Sequence, residues 1–352
     1  MSFKIVNTIF VPGLDYGEKL LGPLGVRLVN GFWRTEEELM DNAADADAVL
    51  CSGPLQPFSR RVLSTLSKCR ILASLGNAYD RIDLEASSEY GIAVTNIPDY
   101  CIDEVSGRAI ALMMALGYKL FQLDKAVRER QVNFIPPNRK TVEGIAYPIF
   151  RMRDQTLGII GLGRIGTATA LKARGLGMRV IAYDPYVLGA VMVSRGVEPV
   201  DLDTLLKESD FITIHALLNQ ETRNMIGYKE FKKMKPTCYL INAARGEIVD
   251  QPGLIRALQE SSIAGAGLDV TVDDPLVPDN PLLKMPSVIL TGHSAWYSTS
   301  SDSGTEFWFK PMGQIMMAMR GQWPLYAVNP DGQKKWLERW GKRSQEVAHG
   351  SS

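Results

Sequence analysis

Short apolar runs, rich in β-branched residues, recur through the first hundred positions at 4–11, 26–29, 48–51, 71–75 and 92–95. Helical patterns lie between several of them. Thr35 with Glu38 forms a capping box that opens a helix through residue 45. Residues 59–68 place Val62, Leu63 and Leu66 on one face. Strand and helix in alternation predict a parallel sheet with helices on both sides. A long apolar helix is expected over 103–123, with Ile110, Met113, Met114 and Leu116 toward the core. Residues 132–150 hold several prolines and read as a surface loop. A second alternating series runs from 156 to about 290, followed by a helical pattern over 298–320. Beyond Pro330 the chain turns polar, with Trp336 and Trp340 four apart, which reads as a short helix or a frayed end. The pattern predicts an α/β protein of two doubly wound parallel-sheet domains. Residues 1–103 with 296–330 form one, residues 104–295 are inserted as the other, and 331–352 are a tail.

Charge narrows the function classes. Lys plus Arg and Asp plus Glu both number 39, so no excess of basic residues is available for a broad nucleic-acid-binding face. No apolar run approaches the roughly 18 residues of a spanning helix, and the first twenty positions show no cleavage pattern. No membrane contact and a cytoplasmic location are expected. Cys51, Cys69, Cys101 and Cys238 show no C-x-x-C spacing, so reduced, buried thiols are expected and no metal site. Only three histidines are present.

The most informative stretch is T-L-G-I-I-G-L-G-R-I-G at 156–166, a buried strand pattern running into G-x-G-x-x-G. Gly161 permits a tight turn, Gly163 lets backbone approach a pyrophosphate, and Gly166 lets a helix pack on the strand. Arg164 and Ile165 open that helix, whose free N–H groups suit phosphate. A second strand pattern ends in Asp184, 18 positions after the last glycine. That carboxylate suits ribose hydroxyls and repels a 2′-phosphate. Strand, glycines, helix and acid together meet the context of the Rossmann fingerprint, so NAD is the expected cofactor.

Four further segments accompany this unit: NIPDYCIDEV at 96–105, INAARGEIVD at 241–250, AGLDVTVDDP at 266–275 and LTGHSAWYS at 290–298. With them the chain resembles the D-isomer-specific 2-hydroxyacid dehydrogenases from about residue 71 to 330. The A-W-Y-S run after His293 resembles the branch containing the C-terminal binding proteins and their bacterial dehydrogenase relatives. The resemblance implies a Rossmann NAD domain inserted into a flavodoxin-like substrate domain, with the active site in the cleft between them and a homodimer as the assembly. It implies hydride transfer between NAD and a small 2-keto acid, giving the D-2-hydroxy acid.

Site residues follow by position. Arg245 matches the arginine on the substrate carboxylate and keto oxygen, His293 the acid/base, and Asp274 the acid that pairs with it. Asp269 matches the residue holding the nicotinamide carboxamide. Ala243 matches a cofactor-lining position, and His215, which the family places near the adenine side, reads as structural or cofactor-lining. Asn77 and Ala78 match a loop whose N–H groups cradle the substrate carboxylate. Trp296 reads either as a core aromatic or as a wall of the substrate pocket. The chemistry suits these types. A ketone gaining hydride must gain a proton, which imidazole supplies near neutral pH. A neighbouring carboxylate steadies the imidazolium, and an arginine fork fits a planar carboxylate.

Four departures from the family pattern stand out. Asp274 occupies a glutamate position, Gly292 a proline position and Ala78 a glycine position. Gly107-Arg108 replaces a pair that is usually acidic, then His or Thr. A second function stays open on the same resemblance: an NAD(H)-sensing regulator with little turnover.

Overall fold

A computed structural model of the chain describes residues 2–10, 25–129, 138–299 and 306–341. The chain divides into two compact units, Met1–Tyr100 with Ser298–Ser352, and Cys101–Tyr297.

The first unit is built on five parallel strands: β1 (Lys4–Asn7), β2 (Arg27–Asn30), β3 (Ala48–Cys51), β4 (Ile71–Ser74) and β5 (Ala93–Thr95). Their order is β2-β1-β3-β4-β5, the flavodoxin-like arrangement. The central strands β3 and β4 are buried at every position. A parallel sheet covered on both faces demands such continuous apolar runs. The helix Glu36–Ala43 opens on the expected capping box: Thr35 Oγ1 accepts from Glu38 N–H at 3.2 Å, and the Glu38 carboxylate accepts from Thr35 N–H at 3.0 Å. Leu39, Val62, Leu63 and Ala86 fill one face of the sheet.

The other face is filled by Trp308, Met312 and Ile315 of the helix Glu306–Met319, together with Trp336. This corrects the expected tail beginning at residue 331. The helix Gln333–Trp340 is docked onto the sheet, and Trp336 is fully buried. Its Nε1–H donates to Arg70 O at 2.7 Å, and Trp340 Nε1–H donates to Gly91 O at 3.0 Å. Two tryptophans four apart share one helix face, so a segment that reads as polar still carries an anchor.

The second unit has seven parallel strands: β6 (Thr156–Ile160), β7 (Arg179–Tyr183), β8 (Glu198–Pro199), β9 (Phe211–Ile214), β10 (Tyr239–Asn242), β11 (Gly265–Leu268) and β12 (Val288–Leu290). Their order is β12-β11-β10-β9-β6-β7-β8, the Rossmann winding with one added strand. The order reverses between β6 and β9, and ligands of such sheets bind at the carboxyl ends of the strands there.

Two expectations are corrected in this unit. The single helix over 103–123 is two, Ile102–Gly117 and Leu120–Arg128, broken where Lys119 turns left-handed at φ 51°. Met113 and Leu116 lie in the core and Ile110 and Met114 at its edge, whereas Leu120 and Phe121 are exposed. The apolar pattern continues through the break and hides it. The loop expected over 132–150 contains a helix, Arg139–Ala146, while 132–137 lie outside the described residues. Among the described residues no helix is long and apolar enough to cross a membrane.

Candidate active site and cofactor cradle

The cradle begins where β6 ends. Gly161 is left-handed at φ 91°, and a Cβ there would lie 2.5 Å from Ala216 N. A Cβ on Gly166 would lie 2.2 Å from Gly161 O. Both positions are closed by packing. Gly163 differs, since a Cβ there would meet nothing within 4 Å. The open space stands at the N-terminus of the helix Arg164–Gly175, where Arg164 is exposed and Ile165 half-buried. Unpaired N–H groups and the positive end of the helix dipole converge there, which fits the pyrophosphate of a dinucleotide.

Asp184 follows β7 directly. Its Oδ2 accepts from Leu162 N–H at 2.8 Å and its Oδ1 from Tyr186 N–H at 2.9 Å. The carboxylate is therefore fixed beside the glycine turn with further lone pairs available. His215 follows β9. Its Nε2 lies 3.1 Å from Thr213 Oγ1 and 3.2 Å from Thr169 Oγ1. Burial pushes its pKa down to about 4, so the ring is neutral near pH 7. Ala243 is half-buried just after β10.

The remaining residues of this unit come from β10, β11 and β12, whose ends are level: Asn242 pairs with Leu268 and Leu268 with Leu290. Arg245 leaves β10 in a turn in which Asn242 Nδ2–H donates to Arg245 O at 2.9 Å. The Arg245 guanidinium donates to Ala244 O at 2.6 Å. Asp269 leaves β11 nearly fully buried, and it organises the next turn. Its Oδ1 accepts from Thr291 Oγ1 and from Ser294 N–H, its Oδ2 accepts from Ala295 N–H at 3.0 Å, and its carbonyl accepts from His293 N–H. The sequence points to Asp269 but not to Thr291, because a threonine at a strand end carries no signal without its partner.

Those bonds hold an unusual backbone. Gly292 and His293 are both left-handed, at φ 57° and φ 55°. A proline ring fixes φ near −65° and would forbid that geometry, which accounts for the glycine. His293 Nδ1 lies 2.6 Å from Asp274 Oδ2. The shorter acid therefore reaches the ring, and Nε2 is left as the second ring nitrogen. The pair is not sealed off: the two side chains are 42% and 36% exposed. Trp296 is half-buried, edge-on to the exposed Tyr297 at 5.7 Å, while Ala295 takes the core position.

Asn77 and Ala78 belong to the first unit, in the loop after β4. Gly76 is left-handed at φ 87°, and its carbonyl accepts from Ile97 N–H at 2.8 Å. Asn77 Nδ2–H donates to Tyr100 O at 2.8 Å, so its side chain anchors the loop. Ser74 Oγ accepts from Gly53 N–H at 2.9 Å and donates to Ala78 O at 3.0 Å. A Cβ on Gly53 would lie 2.5 Å from Ala78 O. Gly53 and Ser74 thus shape this loop, and neither stands out in the sequence. The N–H groups of Gly76 and Ala78 have no acceptor among the described residues.

One Rossmann sheet with its glycine cradle, one flavodoxin-like sheet and an imidazole–carboxylate pair fit an NAD-dependent dehydrogenase of the doubly wound α/β class. Comparison with known proteins makes the assignment specific. Residues 110–295 match the family described as D-isomer specific 2-hydroxyacid dehydrogenase, NAD binding domain. The chain is 36% identical over 299 residues to a glyoxylate reductase of Korarchaeum cryptofilum (strain OPF8), covering 84% of this chain and 87% of that one. A glyoxylate reductase structure from Paecilomyes thermophila superposes with a TM-score of 0.81 at 27% identity, covering 94% and 99% of the two chains. D-lactate dehydrogenase with NAD+ from Lactobacillus jensenii gives 0.71 at 29%, covering 93% and 99%. The chain belongs to the D-isomer-specific 2-hydroxyacid dehydrogenase family, and NAD is its cofactor.

Proposed function

We propose that this dehydrogenase reduces a small 2-keto acid of the glyoxylate type to its D-2-hydroxy acid, with His293 as the proton donor. The observation that carries the reading is the 2.6 Å His293–Asp274 contact, on the strand edge that also bears Arg245 and the glycine cradle. Relatives named glyoxylate reductase support a short substrate side chain.

NADH, when bound, supplies the hydride. The developing alkoxide then takes a proton from Nε2 of His293, while Asp274 holds and orients the ring through Nδ1. The Arg245 guanidinium polarises the keto oxygen and binds the carboxylate. The N–H groups of the 76–78 loop receive a carboxylate oxygen. Trp296 bounds the substrate side chain. Asp269, with three of about four lone-pair directions used by its own turn, keeps one for the nicotinamide carboxamide. Gly161, Gly163, Arg164, Ile165, Gly166, Asp184, Ala243 and His215 line the cofactor.

The same reading includes a cytoplasmic homodimer. Leu120, Phe121, Val127, Tyr147, Ile149 and Phe150 are exposed apolar side chains gathered in one stretch of the second unit, which suits a partner copy. All four cysteines are buried thiols, as in a reducing compartment.

The test follows NADH consumption with glyoxylate, pyruvate and larger 2-keto acids. His293→Ala is expected to lose most turnover while NADH still binds by fluorescence. Arg245→Ala is expected to damage keto-acid use more than NADH affinity. Near-normal turnover by His293→Ala would overturn the mechanism.

A further inference from the structure

We propose that Arg195 is a cofactor-positioning residue, gripping the glycine turn from outside so that its N–H groups stay presented to the pyrophosphate. The inference rests on NAD occupying this cradle and is independent of any role for His293.

Arg195 caps the helix Gly189–Ser194, far along the chain from the glycine motif. Its Nη1 donates to Leu162 O at 2.8 Å and to Thr167 Oγ1 at 2.9 Å. Thr167 Oγ1 in turn donates to Gly163 O at 2.7 Å. Leu162 is the middle residue of G-L-G and is fully buried. Its N–H is already taken by Asp184 at 2.8 Å. One residue of the turn, Leu162, is therefore bracketed by opposite charges, a carboxylate at its N–H and a guanidinium at its C=O, so both peptides that flank it are held.

The arrangement has an electrostatic consequence. A carbonyl swung toward a diphosphate would repel it. Arg195 draws the Leu162 carbonyl away and, through Thr167, steadies the Gly163 carbonyl as well. Its cation forms no ion pair among the described residues. The charge therefore adds to the positive end of the helix Arg164–Gly175, where an anion is expected. Arg195 is itself anchored: its carbonyl accepts from Arg174 at 3.2 Å, and its N–H donates to Met192 O at 3.0 Å. Asp184 and Arg195 both come from the β7–β8 connection, so this one connection holds the two peptides on either side of Leu162.

The experiment compares three ligands on the intact chain: NADH by its own fluorescence, with ADP-ribose and adenosine as competitors. Arg195→Met keeps the stem and removes the fork. It is expected to weaken NADH and ADP-ribose by about tenfold, the scale of a lost charge-assisted hydrogen bond. Adenosine, which carries no phosphate, is expected to change by less than about twofold. The KM for NADH should rise more than kcat falls, and Arg195→Lys should recover part of the loss. Thr167→Val removes only the relay and should shift the two diphosphate ligands in the same direction by a smaller factor. Unchanged ADP-ribose affinity in both Arg195→Met and Thr167→Val would overturn the proposal. So would an equal loss for adenosine, which would mark a purely structural role. Failure of the wild-type chain to bind NADH would instead sink the cofactor reading.

Discussion

Nδ1 of His293 and Oδ2 of Asp274 stand 2.6 Å apart, although the carboxylate is one methylene shorter than the family's usual glutamate. The reach comes from backbone on both sides. His293 is left-handed within a turn pinned by Asp269, and Thr271 Oγ1 donates to Asp273 O at 2.7 Å, fixing the loop that carries the acid. A carboxylate on Nδ1 fixes the ring's tautomer and leaves Nε2 for the substrate. Asp274→Asn is therefore expected to lower kcat for keto-acid reduction while NADH binding is kept. Steady-state kinetics with NADH fluorescence check this, and an unchanged kcat would reduce Asp274 to a turn residue. Asp274→Glu should lower turnover, because the gap is already closed and a longer side chain must crowd the ring.

Asp184 should make the enzyme prefer NADH over NADPH. Both carboxylate oxygens are fixed by backbone N–H groups beside the glycine turn, so a 2′-phosphate there would meet an immobile negative charge. Asp184→Asn should narrow the preference and also weaken NADH, since the Leu162 N–H bond loses strength. Equal kcat/KM for the two cofactors in the wild-type enzyme would contradict the assignment.

His215 should make the fold acid-sensitive. Its pKa is about 4 in the folded chain against an ordinary 6.5, because the ring is buried. The unfolded chain binds a proton below pH 6.5 that the folded chain refuses until about pH 4. The stability contributed is full above pH 6.5 and is lost as pH falls toward 4. His215→Gln should flatten that decline, by at most about 1.4 kcal/mol per pH unit. Denaturant midpoints between pH 7 and pH 4 in wild type and variant measure it. Parallel curves would show that His215 does not govern the acid limb.

The helix Gln333–Trp340 should be indispensable to the first unit. Trp336 is fully buried against the sheet and bonds Arg70 O. Trp336→Ala should destabilise that unit by about 3–5 kcal/mol, the range for a deleted core aromatic. Chemical denaturation reads the change. A loss below about 1 kcal/mol would mean the helix is ornamental.

The chain by itself determined the parallel α/β architecture and the cofactor loop, while its resemblance to a family named most of the candidate residues. Buried parallel strands must be continuous apolar runs, so β3, β4 and β6 announce themselves. The glycine motif is equally legible from its spacing, although only Gly166 answers to a contact inside the same strand–turn–helix unit, while Gly161 packs against Ala216 beyond β9. Local order in the chain is enough wherever the interacting groups are close in sequence.

Only the tertiary structure decided the rest. The break at Lys119 is invisible in an apolar pattern that runs past it, and Trp336 looks like part of a polar end until a sheet face needs covering. The Asp269–Thr291 bond spans 22 positions, His293–Asp274 spans 19, and Arg195–Leu162 spans 33. No periodicity links such pairs. The first two pairs meet because parallel strands place every carboxyl end on one edge, so residues that leave neighbouring strands at the same level become neighbours however long the connection between them; Arg195 reaches Leu162 from the end of a helix in the β7–β8 connection.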